Sequence, residues 1–333
     1  MARPARIIDV AKAAGVSPAT VSYVLTGNRP ISAATTRRVL KVIKELNYRP
    51  DPDARALKSR RSRAIGVLAS DFSEVSISQI IVSVEQVACE SDYHCFFASG
   101  ACFGYDVRKA VGFLTRRHLD GLIVLFGVTS DVPVGEIGEP GIPLVSINRP
   151  VSDGHPCILP DNYDGGRRAA LHLLEAGCSR LALISGPGSR FSSRERVRGF
   201  RDALCERGMP LSERRLYHGD FEYASGARGL AVLLKRDHRI DGVFCANDLM
   251  AAAAINAAVE RGVAIPDRLK VIGYDDGALA SIWPVPISSL TAPFQEMGQA
   301  SAALLLAMIE GRQHETGTIY VKSKLVARRS TGH

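Results

Sequence analysis

The feature that limits the fold most is a repeated change of hydrophobic period between residues 64 and 275. Seven short apolar runs read as strands: AIGVLAS (64–70), YHCFFAS (93–99), DGLIVLF (120–126), IPLVSI (142–147), RLALISG (180–186), DGVFCA (241–246) and KVIGYD (270–275). Stretches at helical spacing separate them, at 78–91, 105–118, 163–177, 193–208, 224–236 and 248–262. Apolar strands alternating with amphipathic helices call for parallel sheets covered by helices on both faces. The chain also echoes itself. FLTRRHLDGLIVLF (113–126) shares its Arg, His, Asp-Gly and closing apolar run with LLKRDHRIDGVFCA (233–246). Two similar half-domains facing a cleft are therefore expected.

The charge is divided as sharply as the pattern. Residues 1–63 hold 14 Lys/Arg and 4 Asp/Glu, a net +10, while the remaining 270 residues hold 28 and 30, a net −2. A basic head on a near-neutral body is the electrostatic footprint of a phosphate-binding module. The head is patterned, which argues against a disordered tail. Ile8-Asp9-Val10-Ala11 opens a helix that Gly15 stops. Ser17 is a good N-cap, and Pro18 sits at the first helical position, where its missing N–H costs nothing. That second helix runs to about Leu25 and ends at Thr26-Gly27-Asn28. A third runs from near Ser32 to Leu46, with Val39, Leu40, Ile43 and Leu46 as its apolar stripe, against which Val10, Ala14, Val16, Val21 and Val24 pack.

A helix-turn-helix of this spacing puts the front of the second helix in the DNA major groove. That front is Ser17, Pro18, Ala19 and Thr20, with Ser22 and Tyr23 further along and Asn28 just past the end. Small hydroxyl and methyl groups there permit close approach, bond to bases or phosphates, and pack on a thymine methyl. Asn47-Tyr48-Arg49-Pro50-Asp51-Pro52 then breaks the third helix. Asp53 to Lys58 is compatible with a helix too short to stand alone in water.

The run IIDVAKAAGVSPATVSYVLTGN, followed by ISAATTRRVLKVIKELNYRPDPDARALKSRRSRAIGVL, resembles the lactose-repressor (LacI/GalR) family along its whole length. SSRERVRGF, FCANDLMA and VIGYDD resemble segments of that family's effector core, itself similar to periplasmic sugar-binding proteins. The resemblance implies a small all-α helix-turn-helix DNA-binding domain joined to a periplasmic-binding-protein-like α/β core of two Rossmann-like subdomains. The expected limits are 1–49 for the DNA-binding domain, 50–63 for a hinge linker and 64–333 for the core. Within the core, about 64–162 and 292–321 form the N-subdomain and about 163–291 and 322–333 the C-subdomain. It also implies a hinge helix that pairs with its dimer mate in the minor groove. Leu57 would then wedge a base step, with Ala54 and Lys58 beside it.

Ligands in open α/β sheets bind outside the carboxyl ends of the strands. Those positions hold Asp71, Arg149, Asp161, Asn247 and Asp275, and the loop after 180–186 leads to Arg196. Asp, Asn and Arg together suit a sugar-like ligand, whose hydroxyls both donate and accept. The resemblance favours Arg196, Asn247 and Asp275 as effector contacts, with Phe221 stacking on the ligand. It also marks a departure. Many members carry a SNPFF-like run after the position of Asp71, whereas this chain has Ser73-Glu74-Val75-Ser76-Ile77. Trp283, in SIWPVP, is expected near the cleft mouth.

The expected function is a ligand-responsive, sequence-specific regulator, a repressor of a sugar or related small-metabolite pathway. Its expected partners are operator double-stranded DNA, a small polar effector (sugar, sugar acid or similar metabolite) and a second copy of the chain. The alternatives are a sugar-binding protein without DNA affinity and a Rossmann-like enzyme. No GxGxxG, GxSxG or HExxH occurs, and GPGSRFSS (186–193) lacks the lysine of a phosphate loop, so no catalytic residue, cofactor or metal is expected. The seven cysteines form no CxxC and are expected as buried thiols. The opening MARPARIIDVAKAAG has no leader-like apolar stretch, and no run approaches a membrane span, so a cytoplasmic protein is expected.

Overall fold

A computed structural model describes residues 5–27, 29–48, 61–69, 72, 75–125, 141–149 and 154–333. The chain divides into two compact units, 1–64 and 65–333. Each is described by itself.

The first unit contains three helices, α1 (Ile7–Ala14), α2 (Pro18–Thr26) and α3 (Ala33–Glu45). Gly15 ends α1 in the left-handed conformation (φ +63°), which returns the chain for α2. Ser17 caps α2, and its Oγ accepts from Thr20 N at 3.2 Å. Ser32 caps α3 in the same way, accepting from Thr35 N at 3.3 Å. Val10, Ala11, Ala14, Val21, Val39 and Val42 form the core of the unit, with Val16, Val24 and Ile43 packed on it. The expected stripe of α3 is corrected at two places: Leu40 is 49% exposed and Leu46 38% exposed. Position 40 lies a full 100° from 39 around a helix, whereas 42 and 43 return to the same face, so Val42 takes the buried place.

The second unit holds two six-stranded sheets. The first runs β11-β5-β4-β3-β1-β2, with β1 (Ala64–Ala69), β2 (His94–Ser99), β3 (Gly121–Leu125), β4 (Leu144–Ile147), β5 (Cys157–Pro160) and β11 (Thr318–Val321). The second runs β12-β10-β9-β8-β6-β7, with β6 (Leu181–Ser185), β7 (Leu216–His218), β8 (Gly242–Cys245), β9 (Lys270–Asp275), β10 (Ser288–Thr291) and β12 (Leu325–Val326). Registered neighbours are parallel except β10 and β12. The internal echo is structural: β3 lies beside β1 and β8 beside β6, the equivalent place in each sheet. Those are the switch points where consecutive crossovers leave in opposite directions and a crevice opens at the strand ends.

The helices α4 (Val75–Glu90) and α11 (Phe294–Ile309) share a buried core with the first sheet. On the second sheet, α6 (Asn162–Glu175) and α7 (Phe191–Glu206) cover one face, and α8 (Tyr223–Arg236) and α9 (Asp248–Glu260) the other. α6 and α7 approach closely enough that a Cβ on Gly199 would lie 2.0 Å from the carbonyl oxygen of Tyr163. The helices α5 (Val107–Thr115) and α10 (Ala278–Ile282) complete the set among the described residues. The chain passes between the sheets at 160–162, 291–294 and 321–325.

Several elements depart from the expected pattern. β5, β7, β10, β11 and β12 fall outside the seven expected runs. β7 and β12 have three and two residues, too few to show a period. β10 reads Ser-Ser-Leu-Thr, yet Ser288 and Ser289 are fully buried and spend their hydroxyls on Arg328 O and Asp248 Oδ1. α11 escapes the pattern as well, because its Leu-Leu-Leu-Ala-Met-Ile end lacks the polar contrast by which an amphipathic helix is recognised. The cysteines are corrected too. Cys157, Cys178 and Cys245 are buried, but Cys89, Cys102 and Cys205 are exposed.

Candidate functional site

In the first unit the front of α2 is open to solvent. Ser17, Pro18 and Ala19 are exposed, and Thr20, Ser22 and Tyr23 half-buried. Ser17 Oγ and Thr20 Oγ1 lie 2.9 Å apart, so the two hydroxyls hold each other in place. The Arg29 guanidinium sits 5.4 Å from the centre of the Tyr23 ring. No residue of Pro18–Thr26 is acidic. Arg6, Lys12, Arg29, Arg37, Arg38, Lys41 and Lys44 are all exposed, against Asp9 and Glu45. Asn28, Ala54, Leu57 and Lys58 lie outside the described residues.

In the second unit a knot of side chains forms at the carboxyl ends of β8 and β9. Arg196, on α7, is 7% exposed. Its Nε donates to Asn162 Oδ1 at 2.9 Å, its Nη1 donates to the carbonyl of Ala246, and its Nη2 lies 3.9 Å from Asp275 Oδ1. Its guanidinium carbon stacks 3.4 Å from the centre of the Tyr274 ring. Tyr274 OH in turn meets Ser323 Oγ at 2.7 Å. Asp275 closes β9 with φ +103°, and Asp276 follows at +52°, backbone that side-chain-bearing residues rarely adopt. Burial pushes the Asp275 carboxyl up to about 6, with Arg196 pulling the other way.

The turn is pinned from below. Asp248, almost wholly buried, accepts from Gly277 N at 3.0 Å through Oδ2 and from Ser289 Oγ at 2.6 Å through Oδ1. Burial raises its carboxyl to about 7, and the Asp275 charge adds to the rise. Asp276 is bound to Arg328 Nη1 at 2.6 Å. Asn247 caps α9, its Oδ1 accepting from Met250 N and its Nδ2 donating to Phe221 O, both at 2.9 Å. Phe221 has φ +71°, and its ring lies over Gly186, where a Cβ would be 2.2 Å from Phe221 Cζ.

Arg196 thus meets Asp275, and Asn247 meets Phe221, the two pairs being linked only through the Ala246 carbonyl beside Asn247. Asp161 caps α6, accepting from Asp164 N at 2.9 Å; burial raises the Tyr274 phenol, and the charges of Asp275 and Asp161 add to the rise. Arg149 follows β4 in the other sheet, its carbonyl accepting from the Cys157 thiol. Asp71 lies outside the described residues, as do Ser73 and Glu74 of the departing segment. Trp283 packs against Tyr223 at 6.3 Å, beside the α8–α9 core rather than on the cavity walls. Asn162, Tyr274 and Asp248 escape sequence reasoning. Their only signal is adjacency, since each neighbours a candidate residue, but contact between α6, α7 and β9 is invisible in sequence.

A cavity of about 1180 Å³ opens in front of this knot. Asn247, Asp248, Asp275 and Asp276 form one wall, and Ser78, Gln79, Ser83 and Gln86 of α4 another. Glu296 and Lys324 stand where the chain passes between the sheets, 3.5 Å apart. Among the described residues no group of three His, Cys, Asp or Glu side chains gathers as a metal site.

Comparison with known proteins accounts for both units. Residues 6–51 match "Bacterial regulatory proteins, lacI family", and residues 170–331 match "Periplasmic binding protein-like domain". The HTH-type transcriptional regulator CelR of Thermobifida fusca is 34% identical over 330 residues, 96% of either chain. The HTH-type transcriptional repressor PurR of Yersinia pestis (strain Pestoides F) is 34% identical over 98% of this chain and 96% of its own. A solved lac repressor dimer bound to operator and the anti-inducer ONPF superposes with a TM-score of 0.81 at 29% identity, covering 99% of both chains. A CelR–cellobiose complex gives 0.71 at 32%, covering 98% of this chain and 99% of the other. With a helix-turn-helix unit ahead of a two-sheet binding core, and relatives alike over nearly their full length, the chain belongs to the LacI family of bacterial transcriptional regulators.

Proposed function

We propose that this protein is a dimeric, cytoplasmic, operator-binding repressor whose DNA affinity is set by a neutral polyhydroxylated effector, and that it works by binding alone, without catalytic turnover. The observation that carries this reading is the front of α2. It is a solvent-open, acid-free helix end of small side chains on a cationic unit that packs its own core. Ser17, Pro18, Ala19, Thr20, Ser22 and Tyr23 are the proposed base and phosphate contacts, with Asn28 just after them. Ala54, Leu57 and Lys58 are the proposed minor-groove contacts in a linker over 50–63, between a DNA-binding domain over 1–49 and a core over 64–333. The proposed subdomain limits are about 64–162 with 292–321, and about 163–291 with 322–333.

The cleft supports the effector class. Its described walls carry Asp248, Asp275, Asp276 and Glu296 against Lys324 alone, together with glutamines and serines. Acceptor-rich walls favour a ligand that donates many hydroxyl protons and disfavour an anionic one. A sugar fits, as does the cellobiose held by the CelR relative. Asp71, Arg149, Asp161, Arg196, Phe221, Asn247 and Asp275 are the proposed effector residues. Arg196 acts largely by holding Asp275 and the Ala246 carbonyl in place. Effector binding shifts the core between two arrangements with different affinities for the ligand, and so biases operator binding.

The test is a titration of the protein with its selected operator and with random duplex over a range of salt. The expected result is a steep loss of affinity on random duplex as salt rises, with the operator retained to higher salt. Weak, salt-independent association with both duplexes would overturn the DNA-binding reading.

A further inference from the structure

Among the described residues, three segments carry the chain from one sheet to the other, at 160–162, 291–294 and 321–325, and the Arg196–Asp275 knot is tied to each of them. The first is held by Arg196, whose Nε donates to Asn162 Oδ1 at 2.9 Å. The second is held by the main chain of Asp275, whose carbonyl accepts from Ala292 N at 3.0 Å. The third is held through Tyr274, whose ring lies against the Arg196 guanidinium and whose hydroxyl meets Ser323 Oγ at 2.7 Å. The segments are also tied to one another. Asp161 N donates to Val321 O at 2.8 Å, Thr291 N to Lys324 O at 2.7 Å, and Lys324 N to Thr291 Oγ1 at 2.8 Å.

The third tie differs from the second in its surroundings. Asp275 and Ala292 stand on the described walls of the cleft, whereas Tyr274 and Ser323 do not. Tyr274 is fully buried and Ser323 is 2% exposed. The phenol end passes α6 at Gly165, where a Cβ would lie 2.8 Å from the Tyr274 hydroxyl oxygen. The glycine thus opens the path by which the hydroxyl reaches the third segment. A buried hydroxyl is costly to leave unpaired, so each of the two fixes the position of the other. Ser323 is followed by Lys324, which is bonded to Thr291, so a shift of the ring reaches the second segment as well as the third. Packed elements of this kind pass a displacement on by moving between discrete arrangements, because a close-packed interior does not deform continuously.

We propose that the Tyr274–Ser323 hydroxyl pair is the coupling element of this core, carrying a displacement of Arg196 and Asp275 at the cleft to the three segments that join the two sheets. Both are positioning residues, acting through Arg196 and the joining segments and touching no effector. Their role rests on the reading of the cleft as the effector site.

Hydrogen–deuterium exchange of the full-length, effector-free protein, read by mass spectrometry over 157–163, 288–295 and 318–325, tests the tie without a ligand. Tyr274→Phe and S323A each strand one buried hydroxyl and should lower the melting temperature. The two combined replace both partners by apolar groups and should regain most of it. In the double variant the amides of Asp161, Ala292 and Lys324 are nevertheless expected to exchange about fivefold faster than in wild type. Faster exchange confined to 318–325, or wild-type exchange in all three segments, makes the pair a local packing bond and overturns the proposal. Exchange raised throughout the core, in step with a low melting temperature, is loss of stability alone and overturns it as well. A second arm titrates the operator complex with cellobiose, the sugar of the CelR complex. S323A is expected to bind cellobiose as wild type does, while the change in operator affinity that it causes shrinks about fivefold. An unchanged operator response in S323A overturns the coupling. A wild-type protein indifferent to cellobiose counts against a cellobiose-like effector and leaves the coupling to the exchange comparison.

Discussion

Arg196 carries more of the site than its place in a motif reveals. Its donors run to Asn162, Ala246 and Asp275, and its flat face lies on Tyr274, so it ties α6, α7, β8 and β9 together. Arg196→Ala would leave the Ala246 carbonyl and Asn162 Oδ1 without their donor and the half-buried Asp275 without its counter-charge. We expect a loss of about 1–3 kcal/mol in denaturant unfolding together with loss of the effector response. Wild-type stability would restrict Arg196 to ligand contact. Asp248 and Asp275 make a second prediction, in pH. Both carboxyls are raised above the ordinary range, to about 7 and about 6. The folded chain therefore binds more protons than the unfolded chain between about pH 4 and 7, and these groups make stability fall as pH rises through that window. Urea midpoints measured from pH 5 to 7.5 should decline, and Asp248→Asn should flatten the decline. An equal slope in the variant would remove Asp248 as its source. Asp275 is legible in the sequence because it ends an apolar strand. Asp248 is not, because its role depends on Ser289 and Gly277, respectively 41 and 29 residues away.

At the scale of elements, local rules worked where local chemistry decides. Ser17, Pro18 and Gly15 mark the start of α2 and the end of α1 from sequence alone, because caps are satisfied within four residues. They failed where burial comes from elsewhere. β10 looks like a polar loop until Arg328 and Asp248 take up its serine hydroxyls. The α6–α7 contact shows the same dependence. Gly199 is an ordinary helix residue in sequence, yet the facing backbone leaves no room for a methyl group. Gly199→Ala should force the two helices apart and cost about 1–3 kcal/mol, read as a lower melting temperature of the full chain. An unchanged melting temperature would mean that this interface yields freely.

For the whole molecule, the division at residue 64 gives the broadest prediction. Removing residues 1–63 should leave a core that melts as in the full chain and still responds to its effector, with operator affinity lost. A core that fails to fold alone, or one that still selects operator, would contradict the proposed separation of roles.

The sequence by itself determined the elements and their class: a capped three-helix head, alternating strands and helices, two echoing halves, and the basic charge gathered in the first fifth of the chain. These are properties of periodicity, caps and composition, which act over a few residues or over sums. Only the tertiary structure decided which polar side chains became a site and which became struts. Asp276, at a promising strand end, is engaged by Arg328. Ser193 Oγ and Arg201 Nε find no partner among the described residues although nothing near them in sequence distinguishes them. Hydrogen-bond satisfaction is settled by partners far along the chain, and it is known only once the helices have packed.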